Sequence, residues 1–144
     1  KLVKIKNLIK RGYKMPLLSN LLIIFAILGL INTSYLILSR IKKKSLVCPI
    51  DEDCNKVVKS KYNHLFYIHN EDLGFIYYLL ILITVIFLFS SKNIIFFMKI
   101  ISGVALLVSI FLLFIQSKVL KSHCFYCNLS NLINLAIFVI FLIL

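Results

Sequence analysis

Ser122-His123-Cys124-Phe125-Tyr126-Cys127-Asn128-Leu129-Ser130-Asn131 sets a Cys-x-x-Cys pair at the mouth of the last apolar segment of the chain. From 129 to 144 the sequence is apolar apart from Ser130, Asn131 and Asn134. The pair therefore stands where a membrane helix begins. Cysteines three apart share one helical face and can alternate between a disulfide and two thiols. The free N–H groups and dipole of a helix N-terminus stabilise a thiolate, and Lys121 and His123 push the same way. On its own the motif is a weak signal, equally consistent with inert cysteines in a membrane helix or with half of a zinc site.

Composition supports the membrane reading. Of the 144 residues, 61% are hydrophobic, and the mean hydropathy is +0.99. A soluble domain is about 45–50% apolar. The formal net charge is +12, from 17 Lys+Arg against 5 Asp+Glu. These basic residues lie before and between the apolar runs, so they read as contacts to lipid headgroups, and nucleic acid is not expected as a partner. Four cysteines fall into two pairs, Cys48 with Cys54 and Cys124 with Cys127.

Working outward from the motif, four apolar segments are long enough to cross a hydrocarbon layer of ~30 Å at ~1.5 Å per residue. They cover about 17–39, 73–91, 94–117 and 124–144. Residues 1–15 form a basic amphipathic leader suited to a membrane surface, and Pro16 is expected to open the first span. Asn32, Thr33 and Ser34 read as helix–helix contacts, and Ser102-Gly103 as a point of close approach. Ser90-Ser91-Lys92-Asn93 reads as a tight turn. The long polar stretch 40–72 contains Cys48-Pro49-Ile50-Asp51-Glu52-Asp53-Cys54, and Val57, Val58 and Tyr62 are spaced as one face of a short helix lying on the bilayer or over the bundle mouth. The expected fold is thus all-α and integral to the membrane, a four-transmembrane-helix bundle occupying 16–144 with a long first loop carrying a short surface helix.

Counting crossings adds what neither pair gives alone. The connections after the first and third spans emerge on the same side, so both cysteine pairs face one compartment. Disulfides persist outside the cytoplasm, which places the termini inside and the cysteines on the periplasmic or extracellular side of a multi-pass inner, or cytoplasmic, membrane protein. A Cys-x5-Cys pair in a loop suits a disulfide that receives attack from a soluble thiol and passes the exchange to the membrane-edge pair through a mixed disulfide. With no metal or flavin motif in the sequence, the exit for electrons points to a lipid-soluble acceptor such as a quinone of the ubiquinone or menaquinone type.

Taken together, the loop pair followed by Cys54-Asn55-Lys56-Val57-Val58-Lys59-Ser60-Lys61-Tyr62, Gly74 with Tyr77-Tyr78 at the second span, and His123-Cys124-Phe125-Tyr126-Cys127 opening the fourth resemble vitamin K epoxide reductase and its bacterial homologues. The resemblance covers nearly the whole chain after the leader. It implies that Cys48 exchanges with a thioredoxin-like (DsbA-like) protein, that Cys54 attacks the inner disulfide at Cys124, and that Cys127 faces the quinone. It also implies quinone contacts at Ser60 and Asn70, and at Asn131, which stands where some members carry a Tyr; an amide also donates. Many bacterial relatives carry a fused thioredoxin-like domain; the sequence here ends at Leu144, so the partner is expected to be a separate protein.

Plainer roles remain for several residues. Ser60 reads equally as a loop hydroxyl and Asn70 as a helix cap. Tyr62, Tyr67, Tyr77, Tyr78 and Tyr126 read as interface aromatics, and Asp51-Glu52-Asp53 as a solvated acidic turn. His64, His69 and His123 are open candidates for proton transfer or metal binding. A structural zinc protein using the four cysteines is one alternative, although the x5 spacing fits such sites poorly. A DsbB-type oxidase is another, but there the Cys-x-x-Cys lies in the first exposed loop.

Overall fold

Leucine, lysine and arginine, which favour helix, are frequent in the first forty residues. In the computed structural model, which describes residues 2–48, 54–65, 67–88 and 92–144, α1 runs without a break over Leu2–Ile41. Pro16 lies inside this helix and does not open it. Its fixed φ is compatible with a helix, the cost being one missing backbone bond, and Ser19 Oγ donates to the Pro16 carbonyl at 2.9 Å. The portion able to cross a membrane is Pro16–Ile41. Asp51-Glu52-Asp53, the Ser90-Ser91 part of the turn, and the side chains of the leader and of His64 lie outside the described residues.

Among the described residues, three more helices complete a set of 4 that are long and apolar enough to span. They are α3 (Asn70–Ile83), continued by a π-helical segment Thr84–Leu88, α4 (Lys92–Phe114), continued by another at Ile115–Leu120, and α5 (Phe125–Ile143). The chain is a multi-pass membrane protein. Helix α1 packs against α3 and α5, and α4 against α5. Leu22, Ala26, Ile81, Ile137 and Phe141 form the dry centre, whereas Ile24, Phe97, Leu107 and Leu132 point outward and are exposed, as a lipid-facing surface requires.

Polar side chains tie the helices together. Asn32 of α1 donates to the Tyr126 carbonyl at 2.8 Å and to Ser130 Oγ at 2.7 Å. Tyr78 of α3 donates to Asn134 Oδ1 at 2.8 Å, and Asn134 donates to Ser109 Oγ of α4 at 2.7 Å. Tyr78 is only 1% exposed; it is a core residue and not an interface aromatic, because its hydroxyl finds a partner inside the bundle. Tyr77 is buried beside it.

The first loop folds as a cap. After α2 (Cys54–Val58) come a 3₁₀ turn, Lys61–Asn63, and a small antiparallel hairpin of β1 (His64–Leu65) and β2 (Ile68–His69), in register His64 to His69. Tyr67 turns the hairpin with φ of 72°. Val57 is buried and Lys56 and Lys59 are exposed, so the cap lies over the bundle mouth with its apolar face down.

Gly29 lets the Tyr78 ring approach α1 closely: a Cβ there would sit 2.6 Å from the ring. Because Tyr78 is anchored at its hydroxyl, Gly29→Ala is expected to destabilise the bundle by about 1–3 kcal/mol, the usual cost of overpacking. This should appear as a lowered thermal midpoint of the detergent-solubilised protein. An unchanged or raised midpoint would show that the ring moves freely.

Candidate redox site

The sharp turn between α4 and α5 sets the first cysteine of the motif. The π-helical segment at the end of α4 terminates at Lys121, which takes left-handed φ and ψ of 49° and 35° and donates its N–H back to the Gln116 carbonyl. Gln116, itself buried, also accepts the Ser122 N–H on its carbonyl (3.2 Å) and the Cys124 N–H on Oε1 (3.4 Å). Cys124 is extended and caps α5, its sulfur accepting the Cys127 N–H at 3.3 Å. A sulfur in that position sees the positive end of the helix dipole.

Cys48 and Cys54 form a disulfide with Cα atoms 6.3 Å apart, and Cys124 and Cys127 are thiols. All four belong to one apolar cluster with Leu36, Leu46 and Val57. Their burial is graded: Cys48 is half-buried, Cys54 and Cys124 are 1% and 0% exposed, and Cys127 is half-buried in the wall of a cavity. One contact closes the loop around its own cysteine pair and a second holds it against the motif. Asn55 accepts the Leu46 N–H at 2.9 Å and donates to the Leu46 carbonyl at 3.3 Å. Tyr126, between the two inner cysteines, donates to the Val47 carbonyl at 2.7 Å and packs its ring on Tyr35.

The cavity has a volume of about 330 Å³. Its walls come from α1, the cap, α3, α4 and α5, and they are mainly apolar. Ser60, Asn70, Asn131 and Cys127 all line it. Asn70 does not cap α3; His69 holds the N-cap position, its side chain making no capping bond to the helix, and Asn70 donates to the Tyr62 carbonyl at 3.2 Å. His123 is exposed, and His69 Nδ1 lies 3.8 Å from Asp72. Among the described residues no three His, Cys, Asp or Glu side chains are grouped so as to hold a metal ion.

Sequence reading missed the clamp beneath the cap. Arg40, at the end of α1, pairs with Glu71 at 3.0 Å and with both oxygens of Asp72 at 2.8 and 2.9 Å. Asn63 donates to the other Glu71 oxygen at 3.0 Å and to the Val58 carbonyl at 2.8 Å. The Glu71 side chain is 2% exposed, so Arg40 and Asn63 supply the partners that a buried carboxylate needs. The available signal was one basic and two acidic residues framing the same loop. Gln116, a polar residue at the end of the third apolar run, was a second signal left unread.

Four spanning helices thus carry a loop disulfide over a helix-capping Cys-x-x-Cys, with a cavity beneath. The sequence model of the vitamin K epoxide reductase family matches residues 20–142, a stretch that includes all four cysteines. The chain belongs to the vitamin K epoxide reductase family. No curated protein matches it significantly. Membership in the vitamin K epoxide reductase family makes the chain a membrane oxidoreductase with a disulfide-forming redox function, and the pairs described above are the groups able to carry such chemistry.

Removing Arg40 leaves Glu71 charged and buried. Arg40→Ala is expected to cost about 2–3 kcal/mol, less than the full loss for a sealed pair, because the Arg40 side chain is 27% exposed. Adding Glu71→Gln should restore part of the loss in a thermal melt. Equal midpoints for wild type and Arg40→Ala would show that the clamp does not hold the cap.

Proposed function

We propose that this protein is a thiol oxidase that takes electrons from a thioredoxin-like, DsbA-like protein through Cys48/Cys54 to Cys124/Cys127 and on to a quinone, supporting disulfide formation in exported proteins. The observation that carries the reading is the graded burial within one cluster. The half-buried sulfur sits in the loop, the two buried sulfurs lie between, and the fourth lines an apolar cavity. With the cysteines on the periplasmic or extracellular side, the loop pair meets the soluble donor.

The exchange proceeds by thiolate attack. A donor thiolate attacks Cys48, releasing Cys54 as a thiolate, and the donor's second thiol resolves the mixed disulfide, leaving the donor oxidised and Cys48 reduced. Cys54 attacks Cys124 of the inner disulfide, which frees Cys127. Cys48 then attacks Cys54, re-forming the loop disulfide and freeing Cys124. The inner dithiol gives up two electrons and two protons as its own bond re-forms. A quinone bound in the cavity supplies the matching two-electron, two-proton acceptor. The residues fit such a group: the wall is mainly apolar, and the Asn131 amide N–H has no partner among the described residues. Ser60 and Asn70 are the further contacts this reading assigns, and the cysteine that faces the ring is Cys127.

Turnover with a reduced thioredoxin-like donor and a quinone should be abolished in all four Cys→Ser variants. A donor lacking its second cysteine should be trapped on Cys48 of the wild-type chain as a mixed disulfide, with Cys54 released as the thiol, and Cys48→Ser should keep quinone reduction driven by a small dithiol that reaches the inner pair. No quinone reduction by the wild type, together with stoichiometric bound zinc, would overturn the enzyme reading in favour of a structural metal site.

A further inference from the structure

Within a bilayer an unmatched polar group has no water to turn to, and a buried donor left unpaired costs about 1–3 kcal/mol. Among the described residues three buried side-chain atoms have no partner: Tyr77 Oη, Asn131 Nδ2 and Asn128 Oδ1. The first two are donors, and both residues line the cavity that Cys127 also lines; Asn128 is not part of its wall. Tyr77 and Asn131 are each 9% exposed. Their neighbours behave differently. Tyr78 donates to Asn134, and Asn134 donates to Ser109, so these groups are paired within the protein.

We propose that Tyr77 Oη and Asn131 Nδ2 are the two donors that hold the two carbonyl oxygens of a quinone ring, with Tyr77 as a binding residue that neither the sequence nor the family resemblance assigned. The inference rests on the quinone reading above and deepens it. Asn70, another residue the resemblance assigned, has one of its two amide N–H groups committed to the Tyr62 carbonyl, whereas Tyr77 Oη has no partner among the described residues. The Tyr77 ring is packed against Tyr78 with centroids 5.2 Å apart, which fixes where the hydroxyl sits. Donors at both carbonyls also favour the added electron density that those oxygens carry on reduction. A ring with a single carbonyl engages only one of them.

The test uses the purified full chain in detergent with menadione as the two-carbonyl probe, tetralone as a one-carbonyl competitor, and dithiothreitol as reductant. Tyr77→Phe should leave the ligand-free thermal midpoint equal or higher, since it removes an unsatisfied hydroxyl. It should raise the KM for menadione roughly threefold to tenfold, about 0.7–1.4 kcal/mol. The preference for menadione over tetralone should fall by the same factor. A lowered ligand-free midpoint with an unchanged preference would overturn the inference, because the hydroxyl would then serve the fold. Menadione reduction by the wild type that is lost in Cys127→Ser keeps the quinone reading standing even in that case. Failure of the wild type to bind or reduce menadione removes both.

Discussion

The hydrocarbon interior offers no water, so every polar side chain in this bundle must bond to another or wait for a ligand. That constraint organises the molecule. Asn32, Ser130, Tyr78, Asn134 and Ser109 form a seam joining all four spanning helices. Such bonds are individually modest in membranes, about 0.6 kcal/mol on average, but they fix the rotation of each helix about its axis. Apolar packing alone specifies rotation weakly when lipid tails are as apolar as the side chains they replace. Gly29 completes the arrangement by letting the Tyr78 ring lie against α1.

The mouth of the bundle depends on charge. Arg40 joins the end of α1 to the beginning of α3 through Glu71 and Asp72, and Asn63 carries the same carboxylate into the cap. From that base the cap reaches over the bundle; Asn55 ties residue 46 to the start of α2 within the loop, and Tyr126 sets residue 47, next to Cys48, beside the motif that opens α5. Gln116 fixes the motif from the other direction, through the backbone N–H of Cys124. Irregular backbone is stable here because it is roofed by protein and anchored to helix ends. The two cysteine pairs consequently share one apolar cluster at the bundle mouth, with Cys127 in the wall of the cavity.

The sequence by itself determined the class of protein, the number of crossings and the sharing of one compartment by the two cysteine pairs. Each follows from long-wavelength properties, apolar run length and the parity of crossings, which do not depend on how side chains meet. Helix ends were less legible. The second span begins at Asn70 and not at 73, because acids are favoured in the first turn of a helix and Arg40 pairs with both Glu71 and Asp72 there. The first helix runs through Pro16, since one missing backbone bond does not end a helix that is otherwise well formed. Only the tertiary structure decided which polar residues are structural and which are open. Tyr77 and Tyr78 are adjacent and chemically identical, as Asn131 and Asn134 are alike one turn apart, and all four border the cavity; yet in each pair one side chain donates within the bundle while the other carries a donor with no partner among the described residues. That difference comes from what the neighbouring helices present at each position, and no local pattern in the chain encodes it.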